Sequence, residues 1–334
     1  MYNSPYLRQN TSVRRVMTTV LVAMLPAIAV QSWLFGAALL VQIALASATA
    51  LACEALMLAL RGRPVAPALT DMSALVTAWL IAVCLPPLLP WWTTVLGTAF
   101  ALIIGKHLYG GLGQNPFNPA MLAYALLIVS FPALMSQWPG LNVGDFATQM
   151  DWVFGGARAL DGVTGATPLD ALRTGLMTGG DTAAVMNSTA FGHVAGAGWE
   201  WVALAWGAGG LLLLALRIIT WHVPVAFLAV MSLVSGIASL IDPAHYASPA
   251  FHLLAGGTMM GAFFIATDPV SGATTPRGKL IFAAGIALIA WLIRAFGAYP
   301  DGIAFAVLLM NICVPLIDMK TQPPVFGHKN GGAP

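Results

Sequence analysis

Two stretches of the sequence repeat one arrangement of an acid, a glycine and a hydroxyl side chain. Residues 161–172 read DGVTGATPLDAL, and residues 268–279 read DPVSGATTPRGK. In each stretch an aspartate precedes a threonine by six positions, and these threonines are Thr167 and Thr274. A hydroxyl beside a small, open turn can carry a phosphoester. Both stretches are therefore candidate modification sites, unless they are only two similar turns.

The residues after Thr167 are typical of a helix start. Thr167 takes the N-cap position, Pro168 the first helical position and Asp170 the third, which predicts a short helix toward Leu176. This interpretation needs no bound group. The same geometry would also stabilise a phosphate on the Thr167 hydroxyl, because a helix N-terminus presents unpaired N–H groups and the positive end of the helix dipole.

The other residues of the first stretch would shape such a site. Gly165 and Ala166 leave the approach to the hydroxyl open, and Thr164 stands beside them. Asp161 can hold a metal ion or orient the loop for a modifying enzyme. Residue types alone do not identify the phosphate that would be attached.

The second stretch offers polar groups suited to a heterocycle. These are the Asp268 carboxylate and the hydroxyls of Ser271, Thr274 and Thr275. The bland interpretation is again a helix start, since Thr275 and Pro276 repeat the order of a cap followed by a proline.

A third segment, GGLGQNPFNPA at residues 110–120, combines glycines with asparagines. The glycines allow the backbone to approach a ligand closely. Asn115 and Asn118 each offer two donors and an acceptor, which suits the edge of a planar ring. A reversal loop whose asparagines cap the next helix would explain the same residues.

The composition shows what must position these side chains. The chain has 334 residues, of which 59% are hydrophobic and 8% are charged, against about 25% charged in soluble domains. We therefore expect an all-α integral membrane protein. A span needs about 20 apolar residues, and this criterion predicts about ten transmembrane helices. They cover residues 16–35, 37–60, 70–90, 91–106, 117–136, 198–216, 222–241, 249–266, 280–298 and 301–317.

The distribution of cations gives the orientation. With the N-terminus in the cytoplasm, nearly all lysines and arginines outside the membrane lie on that side, as the positive-inside rule requires. They are Arg8, Arg14, Arg15, Arg61, Arg63, Lys106, Arg217, Arg277, Lys279, Lys320 and Lys329. Arg158 and Arg173 then lie outside, in the long loop that carries Thr167, whereas Thr274 faces the cytoplasm.

The long loop divides the chain into two membrane halves of five helices each. We predict a first half at 1–136, an extracytoplasmic loop region at 137–197, a second half at 198–318 and a cytoplasmic tail at 319–334. An odd number of spans per half permits an inverted pair of halves, an arrangement that many transporters use. A secondary transporter or channel without a cofactor is therefore one hypothesis for the function.

The cysteines and histidines point to no metal centre. Cys53, Cys84 and Cys313 lie in separate apolar segments, without the spacing of a disulfide framework or a metal site. The histidines show no ligand spacing either. We expect the lipid bilayer as a partner and no nucleic acid.

The first stretch is similar to the motif Asp-x-x-(Ser/Thr)-(Gly/Ser)-Ala-Thr, in which a flavin transferase attaches FMN through its phosphate to the last threonine. Further likeness lies in the opening SPYLRQNTSVRRVM, in GGLGQNPFNPAML at 110–122 and in ATDPVSGATTPRGK at 266–279. With the ten-span layout, nearly the whole chain resembles the family of Rnf complex D subunits and of B subunits of the sodium-pumping NADH:quinone reductase.

The resemblance implies covalent FMN on Thr167, with Asp161, Thr164, Gly165 and Ala166 as the recognition motif. The transferase of this family works outside the cytoplasm, so the charge pattern predicts that the cytoplasmic Thr274 is not modified.

The resemblance also implies a second, noncovalent flavin, riboflavin or FMN, near the cytoplasmic side. Asn115 and Asn118 are candidates for its contacts, with Asp268 and Lys106 as further candidates.

A member of this family works in the bacterial inner membrane with the other Rnf subunits (A, B, C, E and G). The resemblance implies that the six-subunit complex exchanges electrons between ferredoxin and NAD while it moves sodium ions or protons. The chain would pass electrons across the bilayer through its flavins, with both termini in the cytoplasm and the FMN loop in the periplasm. It has no predicted catalytic residue of its own, and we expect no turnover when it is isolated from the complex.

Overall fold

The protein is mostly helical, as the composition predicts. The computed structural model describes residues 12–141, 143–155, 162–188 and 190–322. Its α-helices are α1 (Val13–Phe35), α2 (Ala38–Leu60), α3 (Val65–Leu69), α4 (Ser73–Cys84), α5 (Trp91–Phe100), α6 (Pro119–Ser130), α7 (Pro132–Met135), α8 (Phe146–Phe154), α9 (Pro168–Met177), α10 (Thr182–Met186), α11 (Trp199–Ala215), α12 (His222–Ile241), α13 (Pro249–Leu254), α14 (Thr258–Met260), α15 (Pro276–Phe296) and α16 (Ile303–Thr321). The π-helical segments Ala101–His107 and Gly261–Ile265 continue α5 and α14. The strands β1 (Trp138–Pro139) and β2 (Thr164–Gly165) pair antiparallel.

Five helices, α1, α2, α12, α15 and α16, are long and apolar enough to cross a membrane. Each coincides with a predicted span to within a few residues. The other apolar helices α4, α6 and α11 are shorter. The coarse class, a helical protein with membrane-spanning helices, is confirmed, whereas the count of ten spans and the inverted halves stay predictions.

The helix α4 ends well before the span predicted at 70–90. Residues 85–90 continue as buried, non-helical chain that contains three prolines, and proline supplies no N–H for a helix. Non-helical backbone at membrane depth needs internal partners for its polar groups. The buried Gln42 amide supplies them, because its Nε2 donates to the carbonyls of Pro87 (3.1 Å) and Leu89 (2.7 Å).

The span predicted at 249–266 is broken between α13 and α14. Gly256 lies at this break with a φ of +61°, in the left-handed region that favours glycine. The freed N–H of Gly257 donates to Asp301 Oδ2 at 2.9 Å, just before α16. The broken backbone is therefore satisfied by protein, as it must be in an apolar surrounding.

The helices pack through small residues. The helix α11 lies against α1 and against the second π-helical segment. A Cβ on Gly209 would lie 2.1 Å from the Ala23 carbonyl oxygen, and one on Gly210 would lie 2.2 Å from Phe263 Cγ. Close approach at small residues is the usual way in which membrane helices gain contact. These two glycines bring elements from both sides of the long loop into one core.

Candidate functional site

The first threonine stretch is held by a strand pairing that the sequence did not predict. Thr164 and Gly165 form β2, which pairs with Trp138 and Pro139 of β1. The N–H of Gly140 adds a bond to the Val163 carbonyl at 2.9 Å. The pairing fixes the direction in which the chain reaches Thr167. Asp161, predicted as part of this motif, lies outside the described residues.

Thr167 is the N-cap of α9, and this predicted helix start is confirmed. The Thr167 side-chain oxygen accepts a hydrogen bond from the N–H of Asp170 at 3.4 Å. Gly165 and Ala166 are exposed, and no described atom lies within 4 Å of the place that a Cβ on Gly165 would take. The half-buried hydroxyl therefore stands at the N-terminus of a ten-residue helix, where a phosphate is stabilised by free N–H groups and the helix dipole.

Two glycines from other loops pack against the residues that follow Thr167. A Cβ on Gly196 would lie 1.9 Å from Pro168 Cγ, and one on Gly256 would lie 2.5 Å from Leu169 Cδ1. Contacts this short leave no room for a side chain at either position. The start of α9 is thus fitted onto the loop before α11 and onto the break between α13 and α14.

Thr167 lines a cavity of about 320 Å³, which we call the Thr167 cavity. Its walls are mostly apolar and aromatic, with Asp170 and Asp301 among the polar groups. Large side chains in these walls include Tyr124, Trp138, Trp199, Tyr299, Met121 and Met260. An apolar cavity of at least about 300 Å³ with a few convergent polar groups is typical of a cofactor or small-molecule site.

A buried ion pair supports one wall of the Thr167 cavity. Arg294, with a side chain 1% exposed, lies 3.1 Å through Nη2 from Asp301 Oδ1. The same guanidinium donates to the His252 carbonyl at 3.0 Å and to Thr258 Oγ1 at 2.9 Å. Because Asp301 also accepts from Gly257, the pair joins α15 and the start of α16 to the broken helix.

A second cavity of about 400 Å³ lies elsewhere in the bundle, and we call it the Asn118 cavity. All four side chains predicted for the noncovalent flavin line it, namely Lys106, Asn115, Asn118 and Asp268. Thr274 of the second stretch lines it as well. The structure therefore brings together residues from two loops that are far apart in the sequence.

The two asparagines use their polar groups differently. Asn118 caps α6, because its Oδ1 accepts from the N–H groups of Ala120 (3.0 Å) and Met121 (3.2 Å), and its Nδ2 donates to the Ile265 carbonyl at 3.4 Å. Asn115 Nδ2 donates to the Phe117 carbonyl at 2.9 Å. The capping interpretation is thus confirmed for Asn118, and Asn115 is the better placed of the two to contact a ligand.

Asn311 of α16 ties the two loops of the Asn118 cavity together. Its Oδ1 accepts from the N–H of Asn118 at 3.1 Å, and its Nδ2 donates to the Ser271 carbonyl at 2.9 Å. This role could not be foreseen from the sequence, because a lone asparagine in an apolar helix has no informative spacing.

The Asp268 carboxylate organises the turn of the second stretch. It accepts from Ser271 Oγ at 2.6 Å and from the N–H of Val270 at 3.3 Å. Burial raises the pKa of Asp268 above its ordinary value, and the hydrogen bonds from Ser271 and the backbone oppose that rise. The carboxyl therefore takes up a proton at a higher pH than an exposed aspartate would.

Thr274 differs from Thr167 in its hydrogen bonding and its position. The Thr274 hydroxyl donates to Asp318 Oδ2 at 2.8 Å, and its N–H contacts the same carboxylate at 3.0 and 3.2 Å. The cap of α15 is the next residue, Thr275, whose Oγ1 accepts from the N–H of Gly278 at 2.9 Å. Thr274 is therefore bound to a carboxylate one position before the helix.

The two cavities approach each other at a thin wall. Consecutive residues line opposite sides of this wall, since Met121 and Ile265 line the Thr167 cavity while Ala120, Phe264 and Ala266 line the Asn118 cavity. The N-terminus of α6 and the second π-helical segment supply these residues. The wall therefore consists of the first turn of α6 and a π-helical segment.

The similarity of the chain to known proteins decides its family. The model of the NQR2, RnfD, RnfE family matches residues 1–327. The chain belongs to this family. The matched range includes both threonine stretches and every residue that lines either cavity.

Similar proteins occur in species of Escherichia and Salmonella. Relatives from Escherichia fergusonii, Salmonella paratyphi B and Escherichia coli, each named as the D subunit of an ion-translocating oxidoreductase complex, are 50% identical over 346 aligned residues. The alignment covers 98% of this chain and 98% of each relative. The likeness thus extends over the whole molecule.

Proposed function

We propose that the chain is a membrane subunit of an ion-translocating oxidoreductase complex and that it carries two flavins. Family membership and the names of its relatives support the complex. The single structural observation that supports the cofactors is the position of Thr167, whose hydroxyl stands at a helix N-terminus and lines an aromatic cavity. A secondary transporter would need no such reactive position.

The covalent group is FMN, joined through its phosphate to Thr167 Oγ1 by a flavin transferase. The free N–H groups at the start of α9 would hold the phosphate oxygens. Trp138 and Trp199 offer flat faces beside Thr167 for the ring, since aromatic pairs gain from stacked or edge-to-face contact. Gly165 and Ala166, both exposed, leave room for the transferase to reach the hydroxyl.

The second flavin, riboflavin or FMN, occupies the Asn118 cavity. Asn115 and the backbone of the glycine loop would bond the edge of the ring, and the Lys106 ammonium would lie beside it. The Asp268 carboxyl, when protonated, can donate a hydrogen bond to a ring acceptor. Flavins supply the redox chemistry, while the protein supplies position and electrostatics.

The two cavities give the proposed route for electrons. Positive charge on the loops around the Asn118 cavity favours the cytoplasmic side for this cavity and the periplasmic side of the inner membrane for Thr167. Electrons then cross the bilayer within this chain, from one cavity to the other through the wall that contains Ala120 and Met121. The complete complex would contain the A, B, C, E and G subunits and would couple ferredoxin and NAD chemistry to the movement of sodium ions or protons.

Fluorescence after denaturing electrophoresis tests the covalent site. We expect the band to fluoresce under ultraviolet light in the wild type and in Thr274→Ala, both produced with the transferase, and to be dark in Thr167→Ala. Fluorescence in Thr167→Ala would show that the attachment site is wrong. A dark wild-type band would favour a transporter or channel, for which the two cavities would be halves of a solute path closed at their shared wall.

A further inference from the structure

Three ionisable side chains meet beside the Asn118 cavity, and all three are almost completely buried. Glu54 Oε2 lies 2.8 Å from Lys106 Nζ and 3.0 Å from His107 Nε2, and each of these side chains is at most 3% exposed. Lys106 Nζ also donates to Ser73 Oγ at 3.0 Å. Glu54 belongs to a membrane-spanning helix, where an ionisable residue is functional by default.

His107 is the member of this cluster with unused hydrogen-bonding capacity. Its Nε2 lies 3.0 Å from Glu54 Oε2, whereas its Nδ1 has no hydrogen-bond partner among the described residues. Its Nδ1 faces the glycine loop, 4.0 Å from the place that a Cβ on Gly111 would take. A buried polar atom without a partner costs free energy, and a proton on the ring would allow an ion pair with Glu54.

The charges around His107 are few. Arg61, beyond the end of α2, donates through Nη2 to the His107 carbonyl. Asp71, before α4, is bonded to the N–H of Ser73 at 2.7 Å. The helix α6, which packs against the π-helical segment of His107, carries no charged residue. Glu54 is therefore the acidic side chain in direct contact with the His107 ring.

The cluster is coupled to the cavity through Lys106, which belongs to both. With Glu54 ionised, Lys106 protonated and His107 neutral, the cluster has no net charge. One electron added to a group in the cavity brings one negative charge into an apolar surrounding, where uncompensated charge is costly. A proton bound to His107 would restore the original net charge.

We propose that Glu54, Lys106 and His107 form a redox-linked proton site for the group held in the Asn118 cavity. The electron comes from the oxidoreductase complex, and the proton comes from water on the side of that cavity. The proton forms an N–H bond on the His107 ring and leaves on reoxidation, so charge and atoms balance in each cycle. This inference rests on the proposed second flavin.

Proton uptake on reduction tests the site in the purified, flavin-loaded complex. A weakly buffered sample is reduced chemically, and protons bound per electron are measured with an indicator dye. We expect His107→Gln to lower the uptake, while His245→Gln leaves it unchanged. His245 is a suitable control because it also contacts a carboxylate, that of Asp242 at 2.8 Å, but is exposed. In Glu54→Gln the pH profile of the uptake should move to lower pH, because the opposite charge beside the ring is lost.

Acid-extractable flavin, measured in the same samples, separates the two proposals. A wild type without extractable flavin would overturn both the second flavin and this proton site. Normal flavin with unchanged uptake in His107→Gln would overturn the proton site alone. If His107→Gln loses its flavin, Glu54→Gln decides, and an unshifted pH profile in that variant overturns the proposal.

Discussion

The two threonine stretches share almost the same letters but are built into the molecule in different ways. Thr167 is itself the cap of α9, and within the described part of the chain its hydroxyl accepts one long bond, 3.4 Å from the N–H of Asp170. Thr274 precedes the cap of α15 by one residue, and its hydroxyl and N–H are both bound to Asp318. The single extra threonine in GATTP, compared with GATP, shifts the helix start by one position.

The surroundings of the two stretches differ as well. The first stretch forms a strand that pairs with Trp138, and its Pro168 packs directly against Gly196. The second is folded around its own aspartate, Asp268, and is anchored to α16. A short motif thus does not define a site, because contacts with distant residues decide whether its hydroxyl caps a helix or binds a carboxylate.

The largest effect on stability is expected from loss of the Arg294–Asp301 ion pair, which supports one wall of the Thr167 cavity. In Asp301→Ala the buried Arg294 loses its carboxylate, and breaking a buried ion pair costs about 3–5 kcal/mol. Thermal unfolding in detergent should show a clear drop in Tm. The control is Asp242→Ala, whose exposed pair with His245 contributes about 0–1 kcal/mol. Equal losses in the two variants would mean that Arg294 finds another partner.

The packing contact between Pro168 and Gly196 should give the next largest effect on stability. In Gly196→Ala the new methyl group meets the rigid prolyl ring, and such overpacking costs about 1–3 kcal/mol. Gly162→Ala is the matched control in the first stretch, since no described atom lies within 4 Å of its added Cβ. Pro168→Ala in the Gly196→Ala background removes the Cγ and should restore part of the lost stability. No recovery in this double variant would contradict the contact.

These supports also show how far the sequence predicts the structure. The cap residues Thr167, Asn118 and Thr275 were predictable because a helix start is written in adjacent residues. Long apolar runs likewise predicted the five longest helices. Gln42, Gly196 and the Arg294–Asp301 pair were missed, because each acts on a segment far away in the chain or across a loop, and no local spacing reports such contacts.

The candidate site was predicted to a similar extent. Asn115, Asn118 and Asp268 were singled out by residue type and Lys106 through the family resemblance, and all four line one cavity. The aromatic walls of the Thr167 cavity were not predicted, because a tryptophan at the end of a span is equally typical of a membrane interface.

A smaller effect is expected from the anchor of the second stretch. Asp318→Ala removes the hydrogen bonds to Thr274, each worth about 0.5–1.5 kcal/mol. The variant also separates two reasons why Thr274 would stay unmodified, its hydrogen bonding and its side of the membrane. In Thr167→Ala/Asp318→Ala we expect the electrophoresis band to stay dark, since the proposed transferase would work on the other side of the membrane. A fluorescent band would mean that Asp318 protects Thr274.

The smallest effect concerns the pH dependence contributed by Asp268. Burial raises the pKa of Asp268 in the folded protein above the ordinary value of 3.8. At a pH between the ordinary pKa and the raised pKa, the folded state therefore binds more protons than the unfolded state. Stability therefore falls as pH rises through this window and is constant above it. We expect the stability of the wild type relative to Asp268→Asn to decrease with pH above about 4, as measured by thermal unfolding at closely spaced pH values. If the stability of the wild type relative to Asp268→Asn rose with pH instead, the hydrogen bonds from Ser271 and Val270 would outweigh burial. Asp268 would then face a ligand as an anion.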